Sequence, residues 1–102
     1  MNHPRTRLDD VIHQPVRFSI VGALAAADEL EFGYVRDLIG VSDPTLSRSV
    51  SQLEEAGYVN VRKGYVGKRP RTWLSLSADG RIALDNHLQA LRDILGGLDA
   101  NR

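Results

Sequence analysis

The sequence predicts a mainly α domain with one β-hairpin, an α+β fold that closes on a long helix. Three observations predict it. Three stretches carry apolar residues at helical spacing, with proline at or near two of their starts and glycine just past two of their ends. Two short segments, "YVNVRK" and "TWLSLS", alternate apolar and polar residues around a Gly-, Pro- and Arg-rich stretch. A last segment repeats leucine at steps of 4, 3, 4 and 3. At 102 residues the chain suits one compact domain with its own core.

Residues 1–7 are polar, with Pro4 and two arginines, and read as a flexible N-terminus. "LDDVIHQPVRFSIVGALAAA" is helical in pattern but interrupted by Pro15. This predicts a short helix near Leu8–His13 and a longer one from Pro15 to about Ala27. Pro15 suits a first helical position, where its missing N–H is not needed. Val16, Ile20 and Leu24 form the apolar stripe, widened by Phe18 and Val21. "DEL" reads as a turn. Phe32–Ile39 follows as a second short helix burying Val35, Leu38 and Ile39, with Gly40 past its end.

A third helix runs over 43–57, with Asp43 as N-cap and Pro44 at the first position. Leu46, Val50 and Leu53 share its inner face. Gly57 stops it in a left-handed conformation, and Tyr58 folds back on Leu53 as a Schellman contact. In the first strand Val59 and Val61 face in, and Asn60 and Arg62 face out. In the second, Leu74 and Leu76 face in, and Trp73 faces out to cover the hairpin. "GYVGKRPR" between them reads as a long tip, with Gly64 and Gly67 permitting the turn and Pro70 stiffening it. Ser77 caps the last helix, which runs to about Gly96.

Two short helices across a tight turn, followed by a hairpin, make a winged helix-turn-helix. From Leu8 to about Leu95 the chain resembles the small winged-helix transcriptional regulators related to the MarR and ArsR groups. The resemblance rests on His13-Gln14-Pro15-Val16-Arg17, on Val41-Ser42 leading to Leu46-Ser47, and on Leu53-Glu54-Glu55-Ala56-Gly57-Tyr58-Val59. It continues through Lys63, Gly67, Pro70, Thr72, Leu76 and Gly80-Arg81. Pro44-Thr45 departs from the Gly-Asn common in the most similar subgroup, a difference that bears on operator sequence. The resemblance implies a dimeric DNA-binding regulator. The domain plan is residues 1–7 as flexible N-terminus, 8–76 as the winged-helix DNA-binding domain, and 77–102 as dimerisation helix and tail.

The residues themselves point to DNA. Net charge is zero, but it is unevenly spread: residues 43–73 hold six basic and three acidic side chains. A local basic face is an electrostatic footprint for phosphate. Opposite its apolar stripe, helix 43–57 carries small or polar residues, namely Pro44, Thr45, Ser47, Arg48, Ser51 and Gln52. Small residues bring a helix axis close to base edges. Arg48 suits the bidentate contact to guanine and Gln52 the one to adenine. Thr45 and Ser51 suit phosphates or thymine methyls. In the wing at 63–71, Lys63, Lys68, Arg69 and Arg71 stand without an acid and suit flanking phosphates or a minor groove.

Leu84, Leu88, Leu91, Leu95 and Leu98 make a seam of about two heptads, widened by Ile82 and Ile94. It predicts a homodimer, and any small-molecule effector is expected at that interface. The function expected is a homodimeric repressor reading a pseudo-palindromic operator. The alternative is a winged-helix module that binds proteins and not specific DNA. The sequence argues against an enzyme: no Ser/His/Asp arrangement, phosphate loop or carboxylate pair is visible. His3, His13 and His87 lie in different segments, and His13 suits a structural hydrogen bond. No cofactor, metal or membrane is expected as a partner. Zero cysteines, no signal peptide and no apolar span point to the cytoplasm.

Overall fold

A computed structural model describes residues 3–99, with side chains through residue 96. The helices are α1 (Pro15–Ala25), α2 (Phe32–Ile39), α3 (Asp43–Glu55) and α4 (Ala78–Asp99). The strands are β1 (Leu30–Glu31), β2 (Val59–Val66) and β3 (Arg69–Leu76), in the antiparallel order β1-β3-β2. This is a winged helix, as the sequence predicts.

The core explains the arrangement. Ile20, Val21 and Leu24 of α1 meet Leu46, Val50 and Leu53 of α3. Val35 of α2, Val59 of β2, Leu74 of β3 and Leu84 of α4 complete the cluster, with Ile12 from the turn before α1. α3 is thus carried from one side only, which leaves its other side to solvent.

The ends of α3 follow from local chemistry. Its N-cap is Ser42, one residue earlier than expected, because the Ser42 hydroxyl accepts the Thr45 N–H at 3.3 Å. Asp43 is then a first-turn acid, where it favours the helix dipole. At the other end Gly57 has φ +82°, and Tyr58 N–H donates to Leu53 O at 2.9 Å while Gly57 N–H donates to Glu54 O at 2.9 Å. That pair of bonds is the Schellman motif the sequence predicts.

Several expectations need correction. Pro4–Arg7, placed in the flexible stretch, form a turn of 3-10 helix against α4, where Arg7 meets Asp93 at 2.7 Å. Leu8–His13 is no helix. It forms a single capped turn. Asp9 Oδ1 accepts from Val11 N–H at 2.9 Å and Ile12 N–H at 3.2 Å, and His13 N–H donates to Asp9 O at 2.7 Å. Pro15 follows too soon for the turn to extend. α1 ends at Ala25, short of Ala27. The expected turn "DEL" ends in β1, where Leu30 pairs with Leu74 and the following Glu31 with Trp73. Leu38 is exposed, whereas Val35 is buried as expected.

The hairpin tip is short, not long. β2 and β3 pair out to Val66 and Arg69 around a two-residue turn, Gly67-Lys68. Gly67 has φ +62° and Lys68 does not have positive φ, the pattern of a type II′ turn that matches strand twist. Gly64 lies mid-strand and serves a different purpose: a Cβ there would stand 3.1 Å from the Trp73 ring. Trp73 covers the hairpin, with the Arg62 guanidinium 4.1 Å from its ring centre.

α4 starts on Ser77, whose hydroxyl accepts Gly80 N–H at 2.9 Å and donates to Gly57 O at 2.6 Å. Gly80 lets α4 approach the α3–β2 turn, since a Cβ there would collide with the Tyr58 carbonyl and stand 2.8 Å from Leu76 Cδ1. Leu84, His87 and Ala90 are buried in the protomer. Leu84 therefore belongs to this chain's own core and is not free for a partner, a correction to the predicted seam. Leu95 remains 62% exposed, and the Leu98 side chain lies outside the described residues. The 22-residue α4 and the wing stretch the protein to 60 × 25 × 21 Å.

Candidate nucleic-acid interface

α3 has three exposed sectors. Leu46, Ser49, Val50 and Leu53 are buried and define the inward direction. At about 100° per residue, Pro44, Arg48, Ser51 and Glu55 lie opposite, and all four are exposed. Ser47 and Glu54 flank them toward the wing. Thr45 and Gln52 flank them on the other side, where Gln52 meets α1.

A groove of about 620 Å³ separates α3 from the hairpin, lined by Ser47, Ser51 and Glu54 on one wall and Lys63 and Thr72 on the other. The register explains why Lys63 is there. Val59, Val61, Lys63 and Tyr65 alternate onto the α3 side of the sheet, opposite Leu76, Leu74, Thr72 and Pro70. Arg69 and Arg71 alternate onto the other face with Trp73. The four basic wing residues therefore do not form one patch. Lys63 faces the groove, Lys68 caps the tip, and Arg69 and Arg71 lie on the back.

Pairing divides the cations further. Arg71 stands 3.7 Å from Glu31, Arg62 2.7 Å from Glu29, and Arg36 2.9 Å from both Asp37 and Asp43. The Arg62 hydrogen bond holds the Glu29 carboxyl below its usual range, and Arg36 does the same to Asp37. Arg48, Lys63, Lys68 and Arg69 have no ion pair among the described residues. These four lie on α3 or the wing. Arg5, Arg17, Arg81 and Arg92 also lack an ion pair among the described residues, with Arg17 and Arg81 reaching carbonyls and Arg92 the Gln89 amide.

Two predicted contact residues are engaged elsewhere. Thr45 Oγ1 accepts from the Ser42 hydroxyl at 3.0 Å, so its hydroxyl is part of the helix start. Gln52 Oε1 accepts from Arg17 Nη1 at 3.0 Å. Sequence reasoning missed Tyr65, which is 74% exposed on the α3 side of the wing. Strand alternation with Lys63 was the signal that would have found it. It also passed over Glu54 and Glu55, which bring negative charge to the C-terminal end of α3.

A second polar cluster sits away from this surface. His87 is fully buried on α4, with Nδ1 accepting Asp9 N–H at 3.0 Å. That bond leaves the proton on Nε2, which stands 3.2 Å from His13 Nδ1. Tyr58 O–H donates to Asp9 Oδ2 at 2.6 Å, and its pKa is pushed up to about 12, first by that hydrogen bond and then by burial. Burial, then the neighbouring His13, pushes the His87 pKa down. Phe18 packs edge-on to the His87 ring at 5.3 Å. The expected structural bond of His13 is thus present, to a residue the sequence did not pair with it. Asp85 is exposed while His87 is buried, so the two share no face. Among the described residues no group of three His, Cys, Asp or Glu comes together to hold a metal.

A family model described as a winged helix DNA-binding domain matches residues 16–95. The chain belongs to that family. The match covers α1 through most of α4, so α3 and the wing of this winged-helix protein are those of a DNA-binding domain. The family is not one of enzymes. The chain is 27% identical over 78 residues to the uncharacterized protein MJ0432 of Methanocaldococcus jannaschii, spanning 76% of this chain and 85% of that one. Its fold matches the transcriptional regulator homologue from Pyrococcus horikoshii OT3 with a TM-score of 0.87, at 23% identity, over 97% of this chain and 99% of the other. A MarR-family transcriptional regulator from Silicibacter pomeroyi has the same fold at a TM-score of 0.65 and 22% identity, covering 94% of this winged-helix chain and 64% of its own. None of the described helices is long and apolar enough to cross a membrane.

Proposed function

We propose that the protein is a homodimeric transcriptional repressor that reads a pseudo-palindromic operator. α3 enters the major groove, and the wing lies on flanking DNA. One observation carries this reading: among the described residues, α3 and the wing hold four cations without an acidic partner, Arg48, Lys63, Lys68 and Arg69, beside an outer α3 face of small residues. Of the other arginines without an ion pair, Arg17 and Arg81 reach backbone carbonyls and Arg92 reaches Gln89 Oε1. Arg48 is the base-reading residue, with Pro44, Ser47 and Ser51 allowing close approach. Lys63, Lys68 and Arg69 bind phosphate.

The dimer rests on α4. Its distal half leaves Leu95 exposed and Leu88, Leu91 and Ile94 only partly covered. A second copy covering that stripe places two recognition helices about 34 Å apart, one DNA turn. A dimer seated on its operator blocks polymerase without further contacts, which is the basis for repression. Residues 8–76 then read DNA, and residues 77–102 supply the pairing surface, where an effector binds if one exists.

The experiment is a gel shift with promoter DNA from the protein's own operon, with and without excess random DNA. Retention of one fragment against competitor supports the reading. Equal loss of all fragments favours the protein-binding alternative.

A further inference from the structure

The Arg17–Gln52 contact changes what α3 reads. Arg17 Nε donates to Val11 O at 2.6 Å, Nη1 to Gln52 Oε1 at 3.0 Å, and Nη2 to Asp10 O at 3.4 Å. Its own backbone N–H is taken by Gln14 Oε1 at 2.8 Å, which caps α1. The guanidinium is therefore fixed by the turn before α1 and by the first turn of α1. A guanidinium has donors only, so the Gln52 atom facing it must be the carbonyl oxygen. The amide cannot flip without setting N–H against N–H.

This fixes the chemistry Gln52 offers outward. A free glutamine matches adenine with both halves of its amide, accepting from N6 and donating to N7. Here Arg17 takes one of the two Oε1 lone pairs and holds the oxygen toward α1, so the NH2 is the half of the amide left facing a partner. We propose that Arg17 is a positioning residue that makes Gln52 read with its donor, selecting guanine, with its acceptors O6 and N7, over adenine at one base pair in each half-site. This rests on the DNA-reading role of α3 and replaces the adenine contact expected from sequence. Arg17 touches no DNA in this account. It acts through the orientation of the Gln52 amide.

The test is selection of binding sites from a pool of random 30-base-pair duplexes by the full-length protein and its variants, followed by sequencing. The wild type should prefer guanine over adenine, by about five- to tenfold, at the position that Gln52→Ala makes indifferent. Arg17→Ala should release Oε1 and move that position toward adenine, leaving the position read by Arg48 unchanged. A merely structural role for Arg17 would weaken all positions together. Gln52→Glu guards against misfolding of Arg17→Ala, because it keeps the contact to Arg17 and removes only the donor. It should move the preference from guanine to cytosine, whose N4 donates.

An adenine preference in the wild type at that position overturns the proposal. So does a Gln52→Ala motif identical to wild type. Failure of the underlying reading looks different: no motif would be enriched by any of the proteins.

Discussion

The two ends of the molecule treat polar groups in opposite ways. At the α4 end, Asp9, His13, Tyr58 and His87 satisfy one another, and Arg7 is spent on Asp93. Among the described residues no buried side-chain nitrogen or oxygen lacks a partner. At the α3 and wing end, Arg48, Lys63, Lys68 and Arg69 have no acidic partner, and Lys63 lines the groove between α3 and the hairpin. A folded chain gains little by leaving surface cations unpaired, but a phosphate ligand needs them so. On the proposed function, the buried cluster at the α4 end is the structural one, and the groove and wing are the surface kept for a partner. Arg17 belongs to both, anchored in the turn beside the first cluster and reaching α3.

The comparison can be broken most severely through α4. Leu91→Asp with Leu95→Asp should turn a dimer into a monomer and lower operator affinity by about 100-fold or more, because linked half-sites reinforce each other. Sedimentation at tens of micromolar and a binding titration check both parts. A wild type that sediments as a monomer would remove the dimer from the account.

The structural end has its own sharp test. Gly80→Ala forces a Cβ into the Tyr58 carbonyl and should cost about 1–3 kcal/mol by overpacking. Gly96→Ala, on the same helix with open space around it, should be neutral or stabilising by about 0.5–1 kcal/mol. Thermal melts compare the two.

Smaller effects come from the buried histidine. The His87 pKa is lowered in the fold from its ordinary 6.5, by burial and then by His13. Below pH 6.5 the unfolded chain accepts a proton that the folded one refuses. The contribution is therefore fully present above that pH and is lost as pH falls toward the folded pKa. Urea titrations at pH 7.5 and 5.5 should show a larger loss for wild type than for His87→Asn. The smallest contrast is within the wing. Arg69→Ala should lower the slope of log affinity against log salt by about two in a dimer, and Arg71→Ala by less, since Glu31 already engages Arg71.

Much of the fold was legible because it is written in local signals. α2 runs from Phe32 to Ile39 as expected, since Gly40 takes the left-handed cap with φ 78°. The Schellman end of α3 was readable from Gly57 and Tyr58. β1 was not, because two residues have no periodicity and Leu30-Glu31 owes its state to pairing with β3. The tip misled because two glycines and a proline look like a loop. Gly64 makes room for Trp73, and Pro70 sits beyond the reach of β1, where β3 is an edge and needs no donor. The α4 leucines carried two meanings in one pattern. Leu84 packs inward and Leu95 outward, and only the approach of the rest of the core distinguishes them. In the candidate interface, residue types were readable but engagement was not. Gln52 and Thr45 look free in sequence, and only the fold brings Arg17 and the Ser42 hydroxyl to them.

The central claim is that the open end of the molecule reads sequence through α3, and Arg48→Ala tests it most directly. Affinity is measured for wild type and variant on the selected operator and on a scrambled duplex, across a range of salt. Loss of about 1–3 kcal/mol on the operator, with little change on the scrambled duplex, is the predicted result. Equal weakening on both duplexes, with the preference intact, would contradict it and leave Arg48 as one more phosphate contact.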